Sequence, residues 1–140
     1  MAESVPETAQ PAVSQRRAIG TLLLHALVVW IACAATMAIG MAVTSMETAL
    51  VIHAVAAPLF AAAVAAFYFR RYGYTSPLLT AAVVLAVIAL VDFFFVALVI
   101  NRSLEMFRSV LGTWLPFILI FAATAATGWI LGAGRQRIIR

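Results

Sequence analysis

Three ionisable side chains fall inside long apolar stretches of this 140-residue sequence: His25, His53 and Asp92. An ionisable group within a membrane costs roughly 2.5–3.5 kcal/mol on insertion scales, so each such residue is a functional candidate by default. Glu47 is a fourth candidate, but it stands at the edge of an apolar stretch, where it can reach water. Imidazole and carboxyl groups can bind a ligand, hold a proton or pass it on.

The elements that carry these residues are four apolar stretches, each long enough to cross a bilayer as a helix. The composition is 66% hydrophobic and 10% charged, against about 25% charged residues in soluble domains. A chain this short cannot bury so much apolar surface in a core of its own. We therefore predict an all-α integral membrane protein, a four-helix up-down bundle with spans at about 19–43, 48–69, 77–100 and 109–133.

Arginine placement predicts how the bundle lies in the membrane. Seven arginines would share one side, and only Arg102 and Arg108 the other, where Glu47 and Glu105 offset them. The seven are Arg16, Arg17, Arg70, Arg71, Arg135, Arg137 and Arg140. Because positive residues remain in the cytoplasm, both termini are expected inside, in an inner (plasma) membrane. Residues 1–17 read as a disordered tail, 18–134 as the membrane domain and 135–140 as a basic cytoplasmic terminus.

Depth limits which candidates can meet. His25 is expected ~9 Å from the inner end of the first helix and His53 ~8 Å from the outer end of the second. Their imidazoles would then be roughly 13 Å apart along the membrane normal, too far to share one metal ion. Asp92, at ~12 Å from the outer end, lies within about one turn of His53 in height. If their helices are neighbours, Asp92 and His53 can form a hydrogen-bonded pair that fixes helix register or couples a proton. The third alternative is no contact.

Small residues and prolines predict where helices touch and bend. Pro58 and Pro116 each remove a backbone donor within a helix, which predicts kinks. Residues with small side chains recur every four positions and predict close helix–helix seams: Ala32, Thr36, Gly40 and Thr44 in the first span, and Thr124, Gly128 and Gly132 in the fourth.

No catalytic signature is present, and no cofactor is predicted. Two remain conceivable: haem, with His25 and His53 as separate axial ligands, and copper, bound by thioether groups near His53. The methionines of that outer region are Met37, Met41, Met46 and Met106. The single cysteine, Cys33, excludes an intrachain disulfide. Nucleic acid is excluded as a partner because no basic stripe or recognition module occurs.

Three functions stay open at this point. The first expectation is an accessory or assembly subunit of a membrane complex, because its helices carry so few polar residues. The second is a small proton-coupled carrier centred on Asp92 and His53, which would have to be a homodimer since four helices offer little room for a path. The third is an electron carrier that uses His25 and His53. The expected partners are the lipid bilayer and either a second copy or a larger membrane protein.

Overall fold

The computed structural model describes residues 14–138, with side chains through residue 132. This part of the chain is all-helical, and four of its helices are long and apolar enough to cross a membrane: Gln15–Val43, Met46–Arg71, Pro77–Asn101 and Val110–Gly132. The prediction of four apolar helices is confirmed. Most of the predicted disordered tail lies outside the described residues.

Helices α1 (Gln15–Val43) and α2 (Met46–Arg71) form a hairpin joined by two residues. Ser14 caps α1, so the helix begins three residues inside the tail predicted from the sequence. Ser45 caps α2 by accepting the backbone N–H of Thr48 at 3.2 Å. The helix α2 continues without interruption through Pro58, and Arg70 and Arg71 form its last turn, where cations complement the helix dipole.

Helix α3 (Pro77–Val91) changes its hydrogen-bond pattern within the span and continues as a π-helix over Asp92–Asn101. The π segment ends at Arg102, which takes a left-handed conformation with φ of 50° and donates its N–H to Ala97. Long π segments are rare, and single π turns are frequently found at functional sites. The irregular stretch begins at the residue with the carboxyl group.

Helix α4 (Leu115–Ile138) is also preceded by a π-helical stretch, Val110–Trp114. Pro116 is the second residue of α4 and has no backbone N–H to donate, which accounts for the irregular turn before it. The predicted disturbance of the fourth span at Pro116 therefore takes the form of a π turn. The α4 helix continues to Ile138, past the predicted end at residue 133.

The order of helices around the bundle differs from the expectation that each helix packs beside the next. α1 packs against α2 and α3, and α4 packs against α2 and α3, so α2 and α3 lie on a diagonal. The link 72–76 can make this crossing because five extended residues span up to ~16–18 Å. A square of helices 8–10 Å apart has a diagonal of only about 11–14 Å. Helices α2 and α3 are thus adjacent in sequence but not in space, whereas α1 and α2, and α3 and α4, are adjacent in both.

The core is thin and built largely from small side chains. It combines a few large residues, among them Leu22, Val29, Tyr68 and Ile120, with many buried alanines. Large apolar side chains such as Ile39, Leu59 and Ile130 point outward at 63%, 65% and 71% exposure. Outward Leu and Ile suit lipid, which is as apolar as they are, so close backbone approach has to provide the packing.

Candidate functional site

Asp92 is the first residue of the π segment and faces α1, about midway through the bundle. We call the surface formed there by Trp30, Asp92 and Phe95 the α1/α3 groove. The indole N–H of Trp30 donates a hydrogen bond to its Oδ1 at 2.8 Å, and both side chains are half-buried. The ring of Phe95 packs edge-on against Trp30 with centroids 6.1 Å apart. Trp30, which the sequence did not mark as a functional residue, is therefore the polar partner of the intramembrane carboxyl group.

The second carboxyl oxygen of Asp92 differs from the first. This oxygen has no hydrogen-bond partner among the described residues. It is also not a fully buried atom, so it can be reached from the surface. The residues that follow it, Phe93, Phe94 and Phe95, are 38%, 59% and 48% exposed. The groove thus presents one free polar atom within an apolar outer surface.

His53 occupies a different site from the one the sequence suggested. Its ring is buried in α2 and faces the backbone of Cys33 in α1, while Nδ1 has no hydrogen-bond partner. Of the alternatives that the sequence left open for Asp92 and His53, the described residues show no hydrogen bond between them, because α2 and α3 face each other only across the diagonal. Asp92 contacts α1 at Trp30, and His53 faces α1 at Cys33, one helical turn further along. Helix α1 therefore lies between Asp92 and His53.

A stripe of small residues on α2 accompanies His53, and the analysis of the sequence overlooked it. Buried side chains recur at every fourth position: Ala49, His53, Ala57, Ala61 and Ala65. Such spacing places them on one face of the helix. Histidine is the single large member, in a row whose alanines are 0–4% exposed. The four-residue period of this stripe was visible in the sequence and would have located the packing face of α2.

The predicted seams meet neighbouring helices at two of their three glycines. A Cβ added to Gly40 would lie 2.9 Å from Cβ of Ala49, and one added to Gly128 would lie 2.7 Å from the ring of Phe69. Gly132 has no neighbour within 4 Å, so this end of the fourth-span ladder is open. The hydroxyls of Thr36 and Thr44 donate within α1, to the carbonyls of Ala32 and Gly40.

His25 is surrounded by aromatic rings near the end of the bundle where α1 begins and α4 ends. We call this end the inner end. Its Nδ1 lies 2.6 Å from the carbonyl oxygen of Thr21, a bond that fixes Nδ1 as the protonated nitrogen. The ring stacks on Phe67 at 5.8 Å and meets Tyr68 and Tyr72 edge-on at 5.3 Å and 5.5 Å. Glu47 is exposed at the opposite end, so the four candidates occupy four separate places.

A hydroxyl chain beside these rings was also overlooked from the sequence. The Tyr68 hydroxyl lies 2.9 Å from Thr75 Oγ1, which lies 2.7 Å from Thr80 Oγ1. Thr80 in turn donates to the carbonyl of Ser76 at 2.9 Å. The chain joins the end of α2 to the start of α3 across the diagonal link, so it holds the two helices in position where few other contacts do.

The geometry does not favour either cofactor. A void of about 10 Å³ borders His25, whereas ligand pockets commonly measure about 300–1,000 Å³. Within the described residues, no group of three or more His, Cys, Asp or Glu side chains could hold a metal ion. Met41 and Met46 are exposed, while Met106 receives a long contact from the Asn101 amide at 3.9 Å.

Comparison of the chain with protein-family models, with curated proteins and with solved structures finds no match.

Proposed function

We propose that this chain is an accessory or assembly subunit of an inner-membrane complex, with both termini in the cytoplasm. The groove between α1 and α3 would receive a transmembrane helix of a larger protein. The observation that carries the proposal is the carboxyl group of Asp92, whose Oδ1 accepts from Trp30 and whose other oxygen has no partner among the described residues. Intramembrane acids almost always face a protein interior or pair with another polar group, so a facing helix would supply the missing donor.

The surroundings of Asp92 support a helix as the occupant rather than a solute. Phe95, which packs against Trp30 from the π segment, is 48% exposed, and Ile31, next to Trp30 on α1, is 58% exposed. The void described inside the bundle holds about 10 Å³, at the lower limit for a single water molecule. A solute path through one copy of the chain finds no support in that interior, whereas an apolar groove with one polar atom suits a helix carrying one donor.

Site-specific photo-crosslinking in native membranes tests the proposal. A crosslinking amino acid at position 95, next to Trp30, should give one adduct of defined mass, and the same amino acid at position 59, on the lipid-facing side of α2, should give none. Asp92→Asn has one acceptor oxygen, which can serve Trp30 or the docking helix but not both, so it should weaken the adduct, whereas Asp92→Leu should abolish it. Equal adducts at both positions, or an adduct that survives Asp92→Leu, would refute docking at this groove.

The proton-coupled carrier remains the second candidate because of His53. Its ring lies close to the level of Asp92, and its buried Nδ1 has no hydrogen-bond partner among the described residues. In that case the occupant of the groove is a second copy of the chain, and the adduct at position 95 has twice the mass of one chain. Proteoliposomes containing this dimer should then take up protons, and Asp92→Asn should stop the uptake while the dimer persists.

A further inference from the structure

A cleft of about 300 Å³ opens at the inner end of the bundle, far from Asp92. It lies where the end of α2, the diagonal link, the start of α3 and the last turns of α4 come together. We call it the inner cleft, and its lining residues are Phe69, Arg70, Gly73, Thr75, Pro77, Gly128, Leu131 and Gly132. Its volume is at the lower end of the range of small-ligand sites.

Three glycines line the cleft, each in a different way. At Gly128, the rings of Phe69 and Pro77 approach so closely that a Cβ would lie 2.7–2.8 Å from them, so these two rings form the floor. Gly132, one turn further along α4, has no neighbour within 4 Å and leaves the wall open. Gly73 takes a positive φ of 58°, which turns the chain away from α2 at the rim.

The charge at the inner cleft is positive. Arg70 lines it and is exposed, and Arg71 stands beside it on the same helix end. The carboxylates among the described residues are Glu47, Asp92 and Glu105, which lie at the opposite end or midway along the bundle. Arginine binds phosphate through paired N–H donors, and basic pockets between transmembrane helices bind anionic headgroups.

We infer that the inner cleft is a binding site for an anionic phospholipid, with the headgroup phosphate on Arg70 and an acyl chain along the apolar wall of Leu131 and Phe69. The site has both parts that such a lipid needs, a guanidinium group at the rim and an apolar floor below it. Both lie at a helix end, at the level of the lipid headgroups. The inference does not depend on the docking groove at Asp92, and only the choice of membrane leaflet depends on the proposed topology.

Lipid titration of the full-length chain in a neutral detergent tests the site. Short-chain phosphatidylglycerol should bind about tenfold more tightly than phosphatidylcholine with the same acyl chains, because the ammonium group of choline adds a positive charge that the arginines at the cleft repel. Arg70→Gln should weaken phosphatidylglycerol binding about tenfold. Arg71→Gln is the matched control, since it removes the same charge one residue away from the cleft and should change the affinity by less than about twofold.

A second variant tests the cleft independently of charge. Gly132→Leu adds a side chain where a Cβ has no neighbour within 4 Å, so it should block the lipid without lowering the unfolding temperature. An equal loss of affinity in the Arg71 and Arg70 variants would overturn the inference, since it would mean general surface attraction. Unchanged binding in the Arg70 variant would do the same. Displacement of the lipid by inorganic phosphate at equal concentration would identify a free-anion site instead.

Discussion

The hydrogen bond between Trp30 and Asp92 makes a measurable prediction about the stability of the bundle. Trp30→Phe removes the N–H donor and keeps an aromatic ring against Phe95, whereas Asp92→Ala removes the acceptor. Each single change also alters packing, so the bond itself is measured by combining them in a double-mutant cycle. Hydrogen bonds between transmembrane helices average about 0.6 kcal/mol and reach about 1.7 kcal/mol in such cycles.

The geometry places this bond in the upper part of that range. Its length of 2.8 Å is typical of a well-formed bond, both groups are half-buried, and the acceptor is a carboxyl group. We therefore expect a coupling free energy of about 1 kcal/mol between Trp30→Phe and Asp92→Ala. Reversible unfolding of the four proteins in mixed micelles, titrated with a denaturing detergent and followed by circular dichroism, measures it.

Trp114 provides the matched control for this cycle. Its indole N–H donates to the carbonyl of Phe107 at 2.8 Å, away from the α1/α3 groove. Trp114→Phe should therefore show no coupling to Asp92→Ala beyond the additivity error of about 0.3 kcal/mol. A coupling this small for Trp30→Phe would refute the assignment of Trp30 as the partner of the carboxyl group.

Two further predictions concern packing and the hydroxyl chain. Gly128→Ala should destabilise the bundle by about 1–3 kcal/mol in the same unfolding assay, because its Cβ would press on the Phe69 ring, whereas Gly132→Ala should be neutral or slightly stabilising. Equal effects of the two substitutions would contradict the close approach at Gly128. Tyr68→Phe should lower the free energy of unfolding by about 1 kcal/mol through loss of the hydroxyl contact to Thr75, and a neutral result would show that this contact is replaced by lipid or water.

The sequence predicted which segments are long and apolar enough to cross the membrane, because this depends on distance from water. It did not predict which helices lie side by side, because this depends on direction within the membrane plane. Hydropathy places the four spans along the membrane normal because only that axis carries a change of solvent. It contains no signal for the order of helices around a bundle, so it could not decide whether Asp92 and His53 are in contact. The donor on Trp30 is a single N–H on a large apolar ring, and nothing in the sequence marks it as the partner of Asp92.

The four-residue spacing of small residues carries information about helix packing. Gly40 and Gly128 are close-contact positions in the structure. The same period in the alanines of α2 went unused, although it marks the face that contains His53. The π-helix that begins at Asp92 had no recognisable signal, because its sequence consists of good membrane-helix residues.

The diagonal link between α2 and α3 has a consequence for how the chain assembles in the membrane. The helices form two antiparallel hairpins, α1–α2 and α3–α4, and the link lays one hairpin flat against the other. Each hairpin can enter the bilayer and close on its own short turn, as local contacts do first. The α1/α3 groove and the inner cleft both lie between the hairpins, so neither exists until the second hairpin has docked on the first.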